Sequence, residues 1–158
     1  MGTVLCQTDE YSVSQFNPLK QVHIMTLLWV MLGSAIGAMA RLCVINQVQR
    51  RLTSPFPWAT LLVNVSGALL IGLLAAALLA GQAPSTNGLA ASNTWLLLVV
   101  GVLGSYTTVS SFSQQTLLLW QQHQPKLALW NVLASLLLTL AAAAIGFAAA
   151  TMLLAGIV

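Results

Sequence analysis

The sequence predicts an all-α integral membrane protein with four transmembrane helices in each subunit. Of the 158 residues, 58% are hydrophobic and only 4% are charged, and the mean hydropathy is +0.89. A soluble domain carries about 25% charged residues, so this chain lacks the side chains needed to cover a water-soluble surface. Four apolar stretches are each long enough for the roughly 20 residues that a spanning helix requires. These stretches cover approximately residues 24–45, 58–80, 95–120 and 127–154.

Polar segments that contain Pro or Gly separate these stretches, at residues 50–57, 81–88 and 121–126. Both residue types interrupt helices, so each segment is expected to be a loop. Residues 24–158 are therefore predicted to form one four-span membrane domain. Residues 1–23 are polar and acidic, and we expect them to form a disordered N-terminal tail.

The few charges exclude several classes of function. The carboxylates are Asp9 and Glu10, so the predicted spans contain none. A small four-span multidrug transporter needs a carboxylate in its first helix, and that alternative is therefore disfavoured. No pairing of a nucleophile with a base and no cluster of metal ligands indicates an enzyme, and no nucleic-acid partner is expected.

The third stretch has the most informative pattern. Residues 105–113 carry six Ser or Thr hydroxyls, directly after Gly101 and Gly104. Glycine and hydroxylated residues weaken a helix, so we expect it to be interrupted near residues 104–108. Irregular backbone at membrane depth is tolerated only where it is buried in protein or lines a cavity. The run therefore favours a protein-lined path, with helix packing as the alternative.

Other polar residues in the spans allow two interpretations each. Asn64 could hydrogen-bond a neighbouring helix or face a permeating species. The same two interpretations apply to Asn131 and to Ser135, which lies one helical turn later. Arg41 either extends to the headgroups or forms a vestibule that attracts anions. Gly33 and Gly37 form a G-x-x-x-G pair, which predicts a close contact between helix backbones.

Four ordered motifs together resemble the Fluc (CrcB) fluoride channel family. The likeness covers roughly residues 31–155. It is carried by Gly33 to Arg41, by Pro57 to Gly67 with its Thr-Leu-x-Val-Asn core, by Gly104 to Gln115, and by Ala128 to Asn131 with Ser135.

The resemblance implies a fluoride-selective passive channel that exports cytoplasmic fluoride across the cell (inner or plasma) membrane. It further implies an antiparallel dimer in the lipid bilayer, with two pores and a central structural Na⁺ held by the backbone carbonyls of Gly104 and Thr107. The residues that it places on or beside the fluoride path are Asn64, Ser110, Ser111, Phe112, Asn131 and Ser135.

Three residues depart from the family pattern. Val109 replaces the first of two phenylalanines, Ser105 replaces a glycine, and Gln115 replaces an acid. The basic loop residues also lie on one predicted side of the membrane, although an antiparallel homodimer should have balanced loops. The dimer could therefore form with itself or with a homologous subunit. The alternative function is a non-conducting or partner-dependent subunit of a heteromeric channel.

Overall fold

The computed structural model describes residues 24–80 and 93–155, and the regular structure in these ranges is helical. The predicted tail 1–23 and loop 81–88 lie outside the described residues. The helices are α1 (Ile24–Arg51), α2 (Trp58–Ala80), α3 (Asn93–Trp95), a π-helical segment (Leu96–Leu103), α4 (Gly104–Tyr106), α5 (Ser110–Gln121) and α6 (Pro125–Ala155).

Four helical stretches are long and apolar enough to cross a membrane. They cover Leu27–Arg51, Trp58–Leu79, Leu96–Gln121 and Pro125–Ala155. The prediction of an all-helical protein with four such helices is confirmed. Helix α1 continues to Arg51, beyond the apolar stretch that ends near Ile45, because the Asn, Gln and Arg residues that follow are compatible with a helix.

The helices pack in two groups. Helix α2 packs mainly on α6, which also contacts α5, whereas α1 packs mainly on the π-helical segment and α4. A Cβ atom added at Gly33 would lie 2.5 Å from the Leu97 carbonyl oxygen, and one added at Gly37 would overlap the Val102 carbonyl oxygen. The close backbone contact predicted from the G-x-x-x-G pair is therefore confirmed.

The third membrane-capable stretch is not a regular α-helix. Its π-helical segment is eight residues long and lies where α1 approaches most closely. Helix α4 then ends at Tyr106, and Thr107 is extended, with φ −75° and ψ 157°. Residues 107–109, called the linker below, join α4 to α5.

A tight turn reverses the chain between α5 and α6. His123 has φ 58°, its amide donates to the Trp120 carbonyl, and the Gln124 amide donates to the Leu119 carbonyl. These bonds form a Schellman motif, in which a residue of left-handed conformation ends a helix. Pro125 then begins α6 at the position where a missing N–H costs nothing.

The distribution of polar and apolar side chains is inverted relative to a soluble protein. Large apolar side chains face outward, including Met39 and Met152, which are 68% and 76% exposed. Among the residues that the structure describes, the buried polar side chains are those of Thr60, Thr108, Asn131 and Ser135. An apolar exterior around a partly polar interior is what a multi-pass membrane protein requires, because lipid provides no hydrogen-bond partners.

We predict that Gly37→Val destabilises the fold. The new side chain would collide with the Val102 backbone, which cannot move as a flexible side chain can. Overpacking of this kind costs about 1–3 kcal/mol, so the thermal unfolding midpoint in detergent should fall. Ala35→Val is the matched control, because Ala35 is exposed on the same helix. Equal midpoints for the two variants would contradict the close contact.

Candidate functional site

Asn64 of α2 forms a two-bond pair with the backbone of Thr108 in the linker. The Asn64 Nδ2 donates to the Thr108 carbonyl at 2.9 Å, and the Thr108 amide donates to Asn64 Oδ1 at 2.8 Å. The side-chain amide thus replaces the backbone partners that Thr108 would have inside a helix. Without such partners, a backbone group in the membrane interior would cost free energy.

This pairing changes which carbonyl groups are free. In a continuous α-helix the Thr108 amide would bind the Gly104 carbonyl and the Ser111 amide would bind the Thr107 carbonyl. Here the Thr108 amide binds Asn64, and the Ser111 amide binds Thr108 Oγ1 at 3.3 Å. The carbonyls of Gly104 and Thr107 therefore lose the amides that a helix would give them. Uncharged backbone oxygens of this kind suit a hard cation.

The Thr108 side chain connects the linker to the start of α5. It is buried, and its Oγ1 lies 3.1 Å from Ser110 Oγ and 3.3 Å from Ser111 Oγ. Two of the residues predicted on the path are thus hydrogen-bonded to a residue that the sequence analysis did not place in the site.

A groove of about 450 Å³ runs between α2, the linker, α5 and α6. The structure brings Asn64, Phe112 and Ser135 together on its walls, beside Val109. Ser110, Ser111, Asn131, Arg41 and Gly104 are outside this lining. The groove is mostly apolar, and the polar residues in its lining are Asn64, Thr107, Thr108, Ser135 and Thr139.

Asn131 is buried, and it contacts α5 rather than the groove. Its Nδ2 donates to Thr116 Oγ1 at 2.8 Å, and the Thr116 hydroxyl donates to the Phe112 carbonyl at 2.8 Å. This chain of bonds ties α6 to the turn of α5 that carries Phe112. For Asn131 the structure provides the interhelical bond, one of the two interpretations left open by the sequence.

A second pair supports the linker from its α4 side. The Ser66 hydroxyl donates to the Val63 carbonyl, and Ser66 Oγ lies 3.0 Å from the Tyr106 hydroxyl. A Cβ atom at Gly67 would collide with Thr107 Cγ2, so a larger residue there would force the Thr107 side chain to move. The linker is held by α2 through Asn64 at one point and through Ser66 and Gly67 at another.

Arg41 is half-buried on α1 and is not one of the groove residues. Within residues 24–80 and 93–155, no group of three or more His, Cys, Asp or Glu side chains could hold a metal ion. Any cation bound in this part of the chain would therefore depend on oxygens of backbone or neutral side chains.

Comparison with known proteins identifies the family. The family model described as "CrcB-like protein, Camphor Resistance (CrcB)" matches residues 28–147, which include the groove and the linker. The chain belongs to the CrcB family.

Curated CrcB relatives are similar over most of their length. "Fluoride-specific ion channel FluC 2" of Rhodopseudomonas palustris is 48% identical over 131 residues, covering 82% of this chain and 96% of that one. "Fluoride-specific ion channel FluC 2" of Bradyrhizobium diazoefficiens is 48% identical over 118 residues, covering 75% and 83%. "Fluoride-specific ion channel FluC" of Magnetococcus marinus is 41% identical over 126 residues, covering 77% and 94%.

Sequence reasoning missed Thr108 and Thr139 as residues that line the groove, and Thr116 as the hydrogen-bond partner of Asn131. Thr139 lies one helical turn after Ser135, and this spacing could have identified it. Thr108 belongs to the hydroxyl run 105–113, but its partner Asn64 is visible only in the fold. Thr116 gave no signal of its own, because its partner Asn131 lies on another helix.

We predict that Asn64→Leu destabilises the protein strongly. Leucine fills a similar volume but leaves the Thr108 amide and carbonyl without partners, at about 1–3 kcal/mol for each buried group. The free energy of unfolding in detergent should fall by about 2–4 kcal/mol. Asn46→Leu, at an exposed position of α1, should leave it nearly unchanged. Equal effects of the two substitutions would mean that the hydrogen bonds between Asn64 and Thr108 do not stabilise the fold.

Proposed function

We propose that this protein is a fluoride-selective passive ion channel that exports cytoplasmic fluoride and so relieves fluoride toxicity. The observation that carries the proposal is the groove between membrane-spanning helices, whose lining includes the Asn64 amide, the Ser135 hydroxyl and the Phe112 ring. The curated relatives named as fluoride-specific channels supply the identity of the ion. Their names also favour a conducting channel over a non-conducting subunit.

The chemistry of the groove suits a small and strongly hydrated anion. Such an ion enters a dry path only if donors of the protein replace its water shell, and they must bind weakly enough to release it. On the groove wall, the Asn64 amide and the Ser135 hydroxyl would provide donors without a fixed positive charge that would trap the ion. Ser110 and Ser111 lie outside the groove lining, and in this proposal they add hydroxyl donors at the start of α5. The positive edge of the Phe112 ring could add a weak attraction. In this proposal, Arg41 attracts anions at the vestibule.

The proposed channel is an antiparallel dimer in the cell membrane, formed with itself or with a homologous subunit. In it, the third span functions as an interrupted helix whose linker faces the partner. Residues from both subunits would complete two pores.

A structural Na⁺ at the dimer centre is part of the proposal. The carbonyls of Gly104 and Thr107 fit such a site, because they have lost their helical amides and Gly104 is exposed. Bound there, the ion would neutralise oxygen dipoles that converge from two subunits. Asn64 and Thr108 would hold these oxygens in place by occupying the amides that would otherwise cover them.

The direct test is fluoride efflux from liposomes that contain the purified protein. We expect rapid fluoride release, with no release of chloride and none from protein-free vesicles. Efflux only after co-reconstitution with a homologous subunit would assign the chain to a heteromeric channel. No fluoride efflux under either condition would contradict the proposal.

Phe112→Ala is expected to slow fluoride efflux more than Val109→Ala. Phe112 lines the groove and provides the edge of an aromatic ring, whereas valine has no quadrupole to lose. An aromatic interaction of about 1.5 kcal/mol corresponds to about tenfold in rate, while Val109→Ala should stay within about threefold. Initial efflux rates per reconstituted protein measure the difference, and the reverse order would remove Phe112 from the path.

Sodium is expected to stabilise the folded dimer. A ligand that binds only the native state adds about 2.7 kcal/mol at 100 times its dissociation constant. The thermal unfolding midpoint in detergent should rise with Na⁺ when N-methyl-D-glucamine replaces it at constant ionic strength. Identical midpoints with either cation would argue against the site.

A further inference from the structure

The Tyr106 side chain connects α4 to α2 beside the linker. Its hydroxyl oxygen lies 3.0 Å from Ser66 Oγ, and the Ser66 hydroxyl in turn donates to the Val63 carbonyl. Val63 is fully buried, so the contact ends in the interior of the protein. Tyr106 is also the last residue of α4, directly before the chain leaves helical geometry. The end of α4 is therefore anchored to α2.

Thr107 lies between two residues that are hydrogen-bonded to the same helix. Tyr106 precedes it and contacts Ser66 through its side chain. Thr108 follows it and binds the Asn64 side chain through its backbone amide and carbonyl. The backbone on both sides of Thr107 is thus tied to α2, which restricts the direction of the Thr107 peptide group.

The other groups of Thr107 already have partners. Its amide and its hydroxyl both donate to the Leu103 carbonyl at 3.0 Å. A Cβ atom added at Gly67 would overlap the Thr107 methyl carbon and lie 3.2 Å from the Tyr106 ring, so both side chains pack on this glycine. The Thr107 carbonyl, in contrast, lacks the amide partner of a continuous helix. It is the polar group of Thr107 that is left for a ligand.

We propose that Tyr106 and Ser66 are positioning residues for a cation site formed by the carbonyls of Gly104 and Thr107. Tyr106 lies between these two residues in the chain, so its anchor on α2 limits the movement of both carbonyls. Groups that hold ligands in place change the affinity for a metal ion without touching it. This inference rests on the proposed function, because the Na⁺ site is part of that proposal.

Phenylalanine at position 106 isolates the contribution of the hydroxyl. Tyr106→Phe keeps an aromatic ring on Gly67 and removes the oxygen that contacts Ser66. The two carbonyls then have more freedom, so Na⁺ binding must also order them and the affinity falls. One hydrogen bond between membrane helices corresponds to about threefold to tenfold in an equilibrium constant. The Na⁺ concentration that gives half of the maximal stabilisation should rise by this factor.

The test measures the thermal unfolding midpoint of the full chain in detergent against Na⁺ concentration, with N-methyl-D-glucamine keeping the ionic strength constant. Ser66→Ala should raise the half-effective Na⁺ concentration as Tyr106→Phe does. The double variant should raise it no further, because both substitutions remove the same bond. Thr151→Val, which removes an exposed hydroxyl of α6, is the control and should leave the half-effective concentration unchanged.

A purely structural pair would behave differently. The midpoints would then fall at every Na⁺ concentration, while the half-effective concentration stayed at the wild-type value, and this result would overturn the inference. A double variant that shows the product of the two single effects would also overturn it. Ser66→Ala decides the matter by the same comparison if Tyr106→Phe fails to fold. A wild type that does not respond to Na⁺ would reject the cation site and this inference with it, whereas fluoride efflux from liposomes tests the channel separately.

Discussion

The pairing of the Asn64 amide with the Thr108 backbone is the interaction on which the site depends. A chain that leaves helical geometry inside a membrane must satisfy its backbone groups from within the protein. Asn64 does so with two hydrogen bonds. Its Nδ2 donates to the Thr108 carbonyl at 2.9 Å, and its Oδ1 accepts from the Thr108 amide at 2.8 Å. The linker can therefore persist between α4 and α5, and the carbonyl of Gly104 is released from its helical partner.

Small residues and hydroxyls perform different tasks around this pair. Gly33 and Gly37 let α1 contact the π-helical segment, and Gly67 lets α2 approach the linker. Hydroxyls then provide the bonds that these approaches make possible, such as the Ser66–Tyr106 pair. The close approach of the backbones brings the polar side chains within hydrogen-bonding distance. These hydrogen bonds in turn stabilise the irregular backbone of the linker.

Much of the fold could be predicted from the sequence, because the bilayer imposes simple rules on length and polarity. Hydropathy gives the four membrane-capable helices, and the Gly and hydroxyl content of residues 104–108 points to the stretch where Thr107 leaves helical geometry. The ordered motifs of the spans point to the family. The π-helical segment was not expected, since its residues are typical of any apolar helix and its geometry depends on how α1 packs.

The site could be predicted less well than the fold. Asn64, Phe112 and Ser135 do meet on one groove, but the bonds that organise it join residues far apart in the chain, such as Asn64 and Thr108, 44 positions apart. Sequence patterns along one helix do not identify partners on another. For the same reason the sequence leaves open whether Asn131 bonds a neighbouring helix or borders the path, and only the fold identifies its partner Thr116.

Amide hydrogen exchange at Thr108 tests the central claim most directly. If Asn64 accepts from this amide, its exchange in the wild-type protein should be slow, and Asn64→Leu should accelerate it by about tenfold or more, as expected for a lost bond of at least about 1.4 kcal/mol. The Gly101 amide, in the π-helical segment, should keep its rate. Fast exchange at Thr108 in the wild type, or no change on substitution, would contradict the account.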